Sequence, residues 1–485
     1  MVLSATESRF EDTQHVLPAR QFWLSNPRTR VLVFFVCFAV GAFVARAVNI
    51  ATWVLAVTGT MSPGMAIALS LSVGISKDVA GGTALGMGEF PVDLTIFSAA
   101  LLGIHTLIGL VVLRHRIRAG HWVWLVVLSS TWVAISCAFI SRAPSDVLLS
   151  AGWRYSLLAV PMALCVYVLC QDARVLDTAV WATCAFALVW VGATVRTIVT
   201  SQGWTATVSS VNYISSAKCA GLAFFCLLSL AVDRRARLKW IAGVMVVPAL
   251  IALIASPSRG ILLGVGLVAL GLLLARSDGV KASLRMCVLV VTVVGIGVLV
   301  YTVLMRTPMA DTIGRLRLWD PQSRSIAARL SFWKDGWQEF VAHPLFGWGI
   351  GMTEAQFGIG GYPHGLPQQV LFELGLMGCV IFWPLWLTGV IISVRSVHAY
   401  ALAESASHVA AIAVLGEWFL VLTCNYLVSS SIADGRLFLL CLAGLVAADS
   451  SRLHFRRNDE YHGNGQIDIR QWKGRGRAAW RRASD

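Results

Sequence analysis

The sequence predicts an all-α integral membrane protein, and three observations carry that prediction. Of its 485 residues, 57% are hydrophobic and only 13% are charged, about half the charged share of a soluble domain. Apolar runs of roughly twenty residues recur along the chain, which is the length a helix needs to cross a bilayer. Lys and Arg gather in alternate connections between those runs, the asymmetry that sets orientation in a membrane. The architecture is helical because a backbone facing lipid must satisfy its hydrogen bonds within each segment.

Taken in order, a polar segment over 1–30 precedes the first apolar run, which reads as a signal anchor rather than a cleaved leader. Spans are then expected near 31–47, 93–113, 121–140, 153–170, 176–197, 217–232, 240–256, 260–275, 286–304, 368–394, 408–428 and 436–449, about twelve crossings in all. The apolar stretch 48–77 is interrupted by Gly59, Pro63 and Gly64; it fits two short crossings, a re-entrant pair or an extension of its neighbours. Basic connections at Arg114–Arg118, Arg234–Lys239 and Arg276–Arg285 mark the cytoplasmic side, with both termini, in a cell inner membrane. The opposite side receives the loops near 141–152, 198–216, 257–259, 305–367 and 429–435. The chain thus divides into a cytoplasmic segment 1–30, a first bundle 31–304, a large periplasmic loop 305–367, last spans 368–450 and a basic tail 451–485.

The net charge of +14 does not mean nucleic acid. It resides largely in short cytoplasmic loops and the tail, where topology and anionic lipid account for it. The tail mixes Arg with Trp472 and Trp480, as a membrane-skimming segment would. All eleven Cys lie in or beside apolar segments and none in 305–367, against a disulfide framework. No Cys/His cluster suggests a metal, and no cofactor is expected.

The 305–367 loop is the one long polar interval, and its residues carry the chemistry. Ile326, Leu330, Trp333, Trp337 and Phe340 recur at helical spacing, so an amphipathic helix with an aromatic stripe is expected, capped near Ser325 and stopped by His343-Pro344. Packing or a membrane-surface position suffices for the stripe. Arg329 sits beside it, where a guanidinium needs an anionic partner: a substrate phosphate, or a carboxylate such as Asp335 or Glu339. Glycines clustered between Gly347 and Gly361 imply tight turns and close backbone approach. His364 follows; a histidine suits a general base toward a sugar hydroxyl, although a lone surface histidine often does nothing. Glu373, one turn into the next span, either orients a neighbour, pairs with an Arg or answers to helix-end electrostatics.

Within the bilayer, Arg259 lies between two apolar runs at the break Pro257-Ser258, on the loop's side. Ionisable groups at such depth are costly and favour function, here phosphate binding, with structural pairing as the alternative. Lys218 and Arg196 would enlarge a positive funnel, and Glu417, in a late span, is expected to pair with one of these cations.

The series SPSRG (256–260), R-x3-W (329–333), HPLFGWG (343–349) and YPHG…FELGLMG (362–378) resembles the O-antigen ligase/polymerase family. The resemblance implies a GT-C-like polytopic glycosyltransferase acting on undecaprenyl-diphosphate-linked glycans. It further implies that Arg259 and Arg329 bind the donor diphosphate and that His364 activates the acceptor. The departure is Gly365, where the family usually has Asn. Polymerisation of repeat units into O-antigen or exopolysaccharide is the first expectation, and ligation to lipid A core or protein the second. A transporter or flippase is a third, disfavoured because the spans lack a convincing internal repeat and carry few embedded acids for ion coupling. Partners would be the lipid-linked donor, a glycan or lipid A core acceptor, membrane lipid and other polysaccharide-assembly proteins.

Overall fold

The structure, a computed structural model, describes residues 27–44, 46–80, 93–111, 120–200, 213–232, 239–256, 258–275, 324–357, 365–402, 407–428 and 435–462. The span expected at 286–304, the first part of the long loop and most of the basic tail lie outside them. Every regular element among the described residues is a helix, and six helices are long and apolar enough to cross a membrane, with shorter apolar helices beside them. The protein is an all-α membrane protein.

The first helices are α1 (Pro27–Phe43), α2 (Ala47–Met61), α3 (Pro63–Ala80), α4 (Leu94–Val111) and α5 (His121–Ile135), which continues as a π-helical turn over Ser136–Ile140. Then come α6 (Ser145–Gly152), a second π-helical stretch Trp153–Ala159, α7 (Val160–Leu169), α8 (Ala173–Thr200), α9 (Tyr213–Val232), α10 (Lys239–Ala255) and α11 (Arg259–Ala275). After the undescribed interval follow α12 (Arg324–Ala342), the short α13 (Met352–Phe357), α14 (Leu366–Leu402), α15 (Ser407–Val428) and α16 (Arg436–His462).

The ambiguous stretch 48–77 is two short helices joined through Ser62. Ser62 adopts extended backbone, and Pro63 opens the second helix where its missing N–H is harmless. Gly59 lies against Ala66 across this hairpin, and His105 Nε2 meets the Gly59 carbonyl oxygen at 2.7 Å.

Helix α8 is the hub, packing against α1, α3, α9 and α15. Glycine permits its closest contact: Gly41 faces the Val189 carbonyl, and Gly192 faces the Phe38 carbonyl and the Ala42 amide. Small residues let helix backbones approach in a membrane, where no hydrophobic force drives them together. The matching of Phe34 with Trp181 and of Gly41 with Val189 makes α1 and α8 parallel. Gly64 at the start of α3 abuts Val175 and Thr178 at the start of α8, so α3 runs the same way. This is the polarity that the alternation of basic loops requires if α2 and α3 each cross.

Helix α15 is the second hub, against α14, α11, α9 and α16. Lys218 Nζ stands 5.3 Å from the Tyr426 ring centre, and Ser229 donates to Glu417 at 3.1 Å, which makes α9 and α15 antiparallel. Glu417 is fully buried, and its contact with Ser229 joins α15 to α9, the helix that also carries Lys218. Near the start of α1, Arg30 is buried with its guanidinium 4.3 Å from the Trp181 ring centre, a cation–π contact inside the bundle. The last helix continues to His462, beyond the span expected at 436–449, because helix hydrogen bonding does not stop where hydropathy falls.

Candidate functional site: a loop inserted into a broken helix

The glycine cluster of the long loop and the start of α14 form one structural unit. Helix α14 is broken at Gly375, whose φ of 66° and ψ of −164° are open essentially to glycine alone. In an unbroken helix the amides of Leu376 and Met377 would bond to the carbonyls of Phe372 and Glu373, four residues earlier. Here the loop takes both places. Trp348 N donates to Phe372 O at 2.9 Å and Gly349 N to Glu373 O at 2.9 Å. The freed amides of Leu376 and Met377 donate to Pro344 O and Leu345 O at 3.0 and 3.1 Å. Segment 344–349 is therefore spliced into the helix ladder, and every backbone group released by the break finds a partner.

Three glycines with positive φ make the splice possible: Gly347 (70°), Gly349 (106°) and Gly351 (78°). Gly347 backs onto the main chain of Glu373 and Gly375, Gly349 onto Ser141, and Gly351 onto Val147. The close backbone approach expected from this cluster is thus an approach to the protein itself. Ser136 and Ser141 complete it, since Ile350 N donates to Ser136 Oγ at 3.0 Å and Ser141 Oγ donates to Ile350 O at 2.8 Å. These serines bound the π-helical turn at the end of α5, an irregularity of a kind often found at functional positions.

Glu373 anchors the unit. It is wholly buried and accepts from Gly351 N at 3.2 Å, Thr353 N at 3.1 Å and Gln369 Nε2 at 2.9 Å. All three partners are obligate donors, a set that suits the acceptor-only carboxylate. Of the readings left open by the sequence, Glu373 orients a neighbour: it ties the glycine loop to the helix.

The amphipathic helix appears as α12, ending at Ala342 directly before His343-Pro344. Ser325 falls inside its first turn rather than ahead of it. Gly336 lets α12 lie against Phe372 of α14, while Leu330, Trp333 and Trp337 remain exposed. Asp335 and Glu339 make no ion pair among the described residues.

The expected site residues occupy the following places. Arg259 is the first residue of α11 and Arg329 lies in the second turn of α12; His364 lies outside the described residues. Gly264 of α11 packs on Val421 and Cys424 of α15, and Gly221 of α9 on Ile261 and Val265 of α11. The early part of α11 thus packs beside the last turns of α15. Gly365, adjacent to position 364, abuts Leu427 O near that same end and leaves no room for a side chain there. This is a physical ground for the departure from Asn at this position. The loops holding Ser141, Ile350 and Gly365 meet at this end of the bundle, as the expected sidedness requires. Arg196 is half-buried within α8, and Lys218 sits against Tyr426. No group of metal-binding side chains occurs among the described residues, and the ten cysteines described are free.

Sequence reasoning missed the splice and the role of Glu373. Fold and site together define a polytopic helical membrane protein with a glycine loop spliced into a broken span at one end of its bundle. Residues 244–383 match the family model described as O-antigen ligase, in agreement with the resemblance that the motifs between 256 and 378 carry. That interval contains α11, α12, the glycine loop and the break in α14. No curated protein matches the chain. The match supports ligase- or polymerase-type activity in general.

Proposed function

We propose that this protein is a membrane glycosyltransferase that polymerises undecaprenyl-diphosphate-linked oligosaccharide repeat units into O-antigen or exopolysaccharide at the periplasmic face of the inner membrane. In this reading about twelve crossings form a GT-C-like bundle with both termini cytoplasmic, and 305–367 is the catalytic loop between bundles 31–304 and 368–450. The observation that carries it is the convergence of the matched family segment with one end of the bundle: the start of α11 at Arg259 and the residue after His364 both lie beside the end of α15.

The mechanism follows from the residue chemistry. His364 takes the proton of an acceptor hydroxyl as that oxygen attacks the anomeric carbon of the donor. The bond from that carbon to the diphosphate oxygen breaks, and the electron pair leaves with undecaprenyl diphosphate. Arg259 and Arg329 neutralise the departing diphosphate, so two guanidiniums supply the charge stabilisation of the transition state. The description of the matched family favours a second reading, ligation of finished glycan to lipid A core or protein; it uses the same residues and differs in the acceptor.

The test is transfer by purified protein from an undecaprenyl-diphosphate oligosaccharide, with lipid A core supplied or withheld, in wild type, His364→Ala and Arg329→Ala. A ladder formed without core and lost in both variants supports polymerisation. Single transfer that requires core supports ligation. No transfer by folded protein from its matched donor returns the chain to the transporter reading.

A further inference from the structure

The apolar surface that lipid must cover on α14 begins abruptly. Leu376, Met377, Val380, Trp383, Leu387 and Val394 are exposed. From Leu376 to Val394 the helix rises about 27 Å, close to the ~30 Å hydrocarbon thickness of a bilayer. On the loop side of Leu376 protein covers α14 instead: Phe372 lies against Gly336 of α12, and Glu373 is enclosed by the glycine loop. Helix α12 therefore packs where hydrocarbon gives way to headgroups. We infer that α12 is an interfacial helix whose apolar face, with the groove beside it, is occupied by acyl chains of the phospholipid leaflet at this end of the bundle. The inference requires only that α14 spans the bilayer and goes beyond the glycosyltransferase reading.

Three observations identify the occupant as lipid. First, packing within the protein does not cover the stripe on α12. Leu330, Trp333, Trp337 and Val341 are all exposed, Leu330 by 66% and Val341 by 62%. At about 100° per residue they fall within roughly 80° of the helix circumference, while Ser331, Asp335 and Glu339 lie on the other side. Second, this face continues into the surface of two spans. Leu345 and Phe346 of the spliced segment are exposed, and the Leu345 carbonyl bonds to Met377 N in the first lipid-facing turn of α14. Phe346 also meets Trp132 of the span His121–Ile140 at 5.8 Å between ring centres, and Phe139 at the end of that span is exposed. Third, a groove of about 440 Å³ between α12 and α14 is lined chiefly by Trp333, Trp337, Leu371 and Phe372, with Lys334 beside them. An apolar trough with a cation at its margin fits an acyl chain below a phosphate.

Water is the poorer solvent for this face. A continuous exposed patch of large apolar side chains marks an interaction surface, where a soluble surface would scatter them singly. The residue types also suit the boundary. Trp places an amphipathic ring at headgroup level. Lys lays its stem along apolar surface while the ammonium stays among phosphates. A helix with Trp and Leu on one face and charged residues on the other lies in the interface plane, its apolar side in the acyl region. Position 329, the residue before Leu330 on α12, is thereby set at the level of the lipid phosphates. On the glycosyltransferase reading, that is the level at which a lipid-linked diphosphate presents itself.

The experiment uses the full-length protein in bilayers of phosphatidylethanolamine and phosphatidylglycerol, without donor or acceptor. Nitroxide side chains are attached one at a time through genetically encoded p-acetylphenylalanine, which leaves the native thiols unlabelled. They are placed at Leu330, Trp337, Val341 and Leu345 on the apolar face and at Ser331 and Asp335 on the polar one. Exposed Val380 of α14 serves as the lipid reference and exposed Asp172 as the water reference. Power-saturation EPR compares collision with oxygen, which concentrates in hydrocarbon, and with a nickel chelate, which stays in water. The logarithm of the oxygen-to-nickel ratio should be positive on the apolar face, as at Val380, and negative on the polar face, as at Asp172. Collision dominated by nickel at Leu330, Trp337 and Val341 would put the face in water and overturn the inference. Exclusion of both reagents there would overturn it too, since a second copy of the chain or another protein would then cover the face. A second measurement keeps the native side chains. In protein carrying 5-fluorotryptophan, the fluorine resonances of Trp333 and Trp337 are assigned with Trp333→Phe and Trp337→Phe. Nitroxide lipid should broaden them and a soluble gadolinium chelate should spare them; the reverse pattern sinks the proposal. Both readouts are taken without turnover, so a failed transfer assay leaves them unchanged.

Discussion

Replacing Glu373 should release the glycine loop from α14 while leaving the bundle folded. In Glu373→Ala the donors of Gly351, Thr353 and Gln369 lose their acceptor. Two of these donors, Gly351 and Thr353, belong to the loop; hydrogen bonds to a charged group contribute about 1.5 kcal/mol each at the low end, so the loop should lose about 3 kcal/mol of docking free energy. In Glu373→Gln the amide oxygen can keep the two bonds made at Oε2, but its NH2 then faces the Thr353 amide donor, and about half of that loss is expected. The four backbone bonds of the splice remain in both variants, and they confine the effect to local opening rather than global unfolding. At roughly 1.36 kcal/mol per decade, amide exchange across 350–357 should quicken about 150-fold in the alanine variant and about tenfold in the glutamine variant. Hydrogen exchange followed by mass spectrometry reads this directly, with peptides from α8 as an unaffected internal reference. Exchange over 350–357 that is identical in wild type and Glu373→Ala would refute the claim that this carboxylate holds the loop.

Three further outcomes follow from the same geometry. Gly375→Ala should lower thermal stability by about 3 kcal/mol or more, since only glycine tolerates its backbone angles and an added Cβ would meet Gly347 N and Leu345 O; Gly266→Ala, with open space at its Cβ, should be neutral or better in the same melting assay. Gly192→Val should separate α1 from α8 and cost about 3 kcal/mol as overpacking, seen as a lower melting point and as new reactivity at half-buried Cys37. Cysteines placed at exposed Arg142 and His343 should react with an impermeant maleimide from one side of the membrane, and a cysteine at exposed Asp172 from the other; labelling of all three from one side would overturn the crossing between Arg142 and Asp172.

Much of the helical architecture was legible because hydropathy and helix period are local properties. Pro63 and the paired glycines around it already pointed to a break in 48–77, and Pro344 marked the end of α12. The glycine run from Gly347 correctly signalled close approach, but not to what. The partners of the Trp348 and Gly349 amides are carbonyls twenty-four residues later, exposed only because Gly375 interrupts their helix. No pattern within either segment encodes that exchange; only the co-occurrence of PLFGWG and FELG hinted at it. Glu373 was ambiguous for the same reason, since its two donors from the loop are backbone amides with no side-chain signature. The π-helical turns left no mark in composition either. Of the proposed site, Arg259 and Arg329 are placed by their helices, and the matched family segment spans them together with His364.

The splice also determines how deep irregular backbone reaches into the bundle. Gly375 lies nine residues into α14, so the inserted loop descends about 13 Å along the helix axis below its first residue. Irregular backbone at such depth persists only where protein or water covers it. Here protein does the covering: the amides of Trp348, Gly349, Ile350, Gly351 and Thr353 all donate inward, to α14 or to Ser136. A span interrupted at this depth is therefore held by its neighbours' hydrogen bonds rather than by its own ladder.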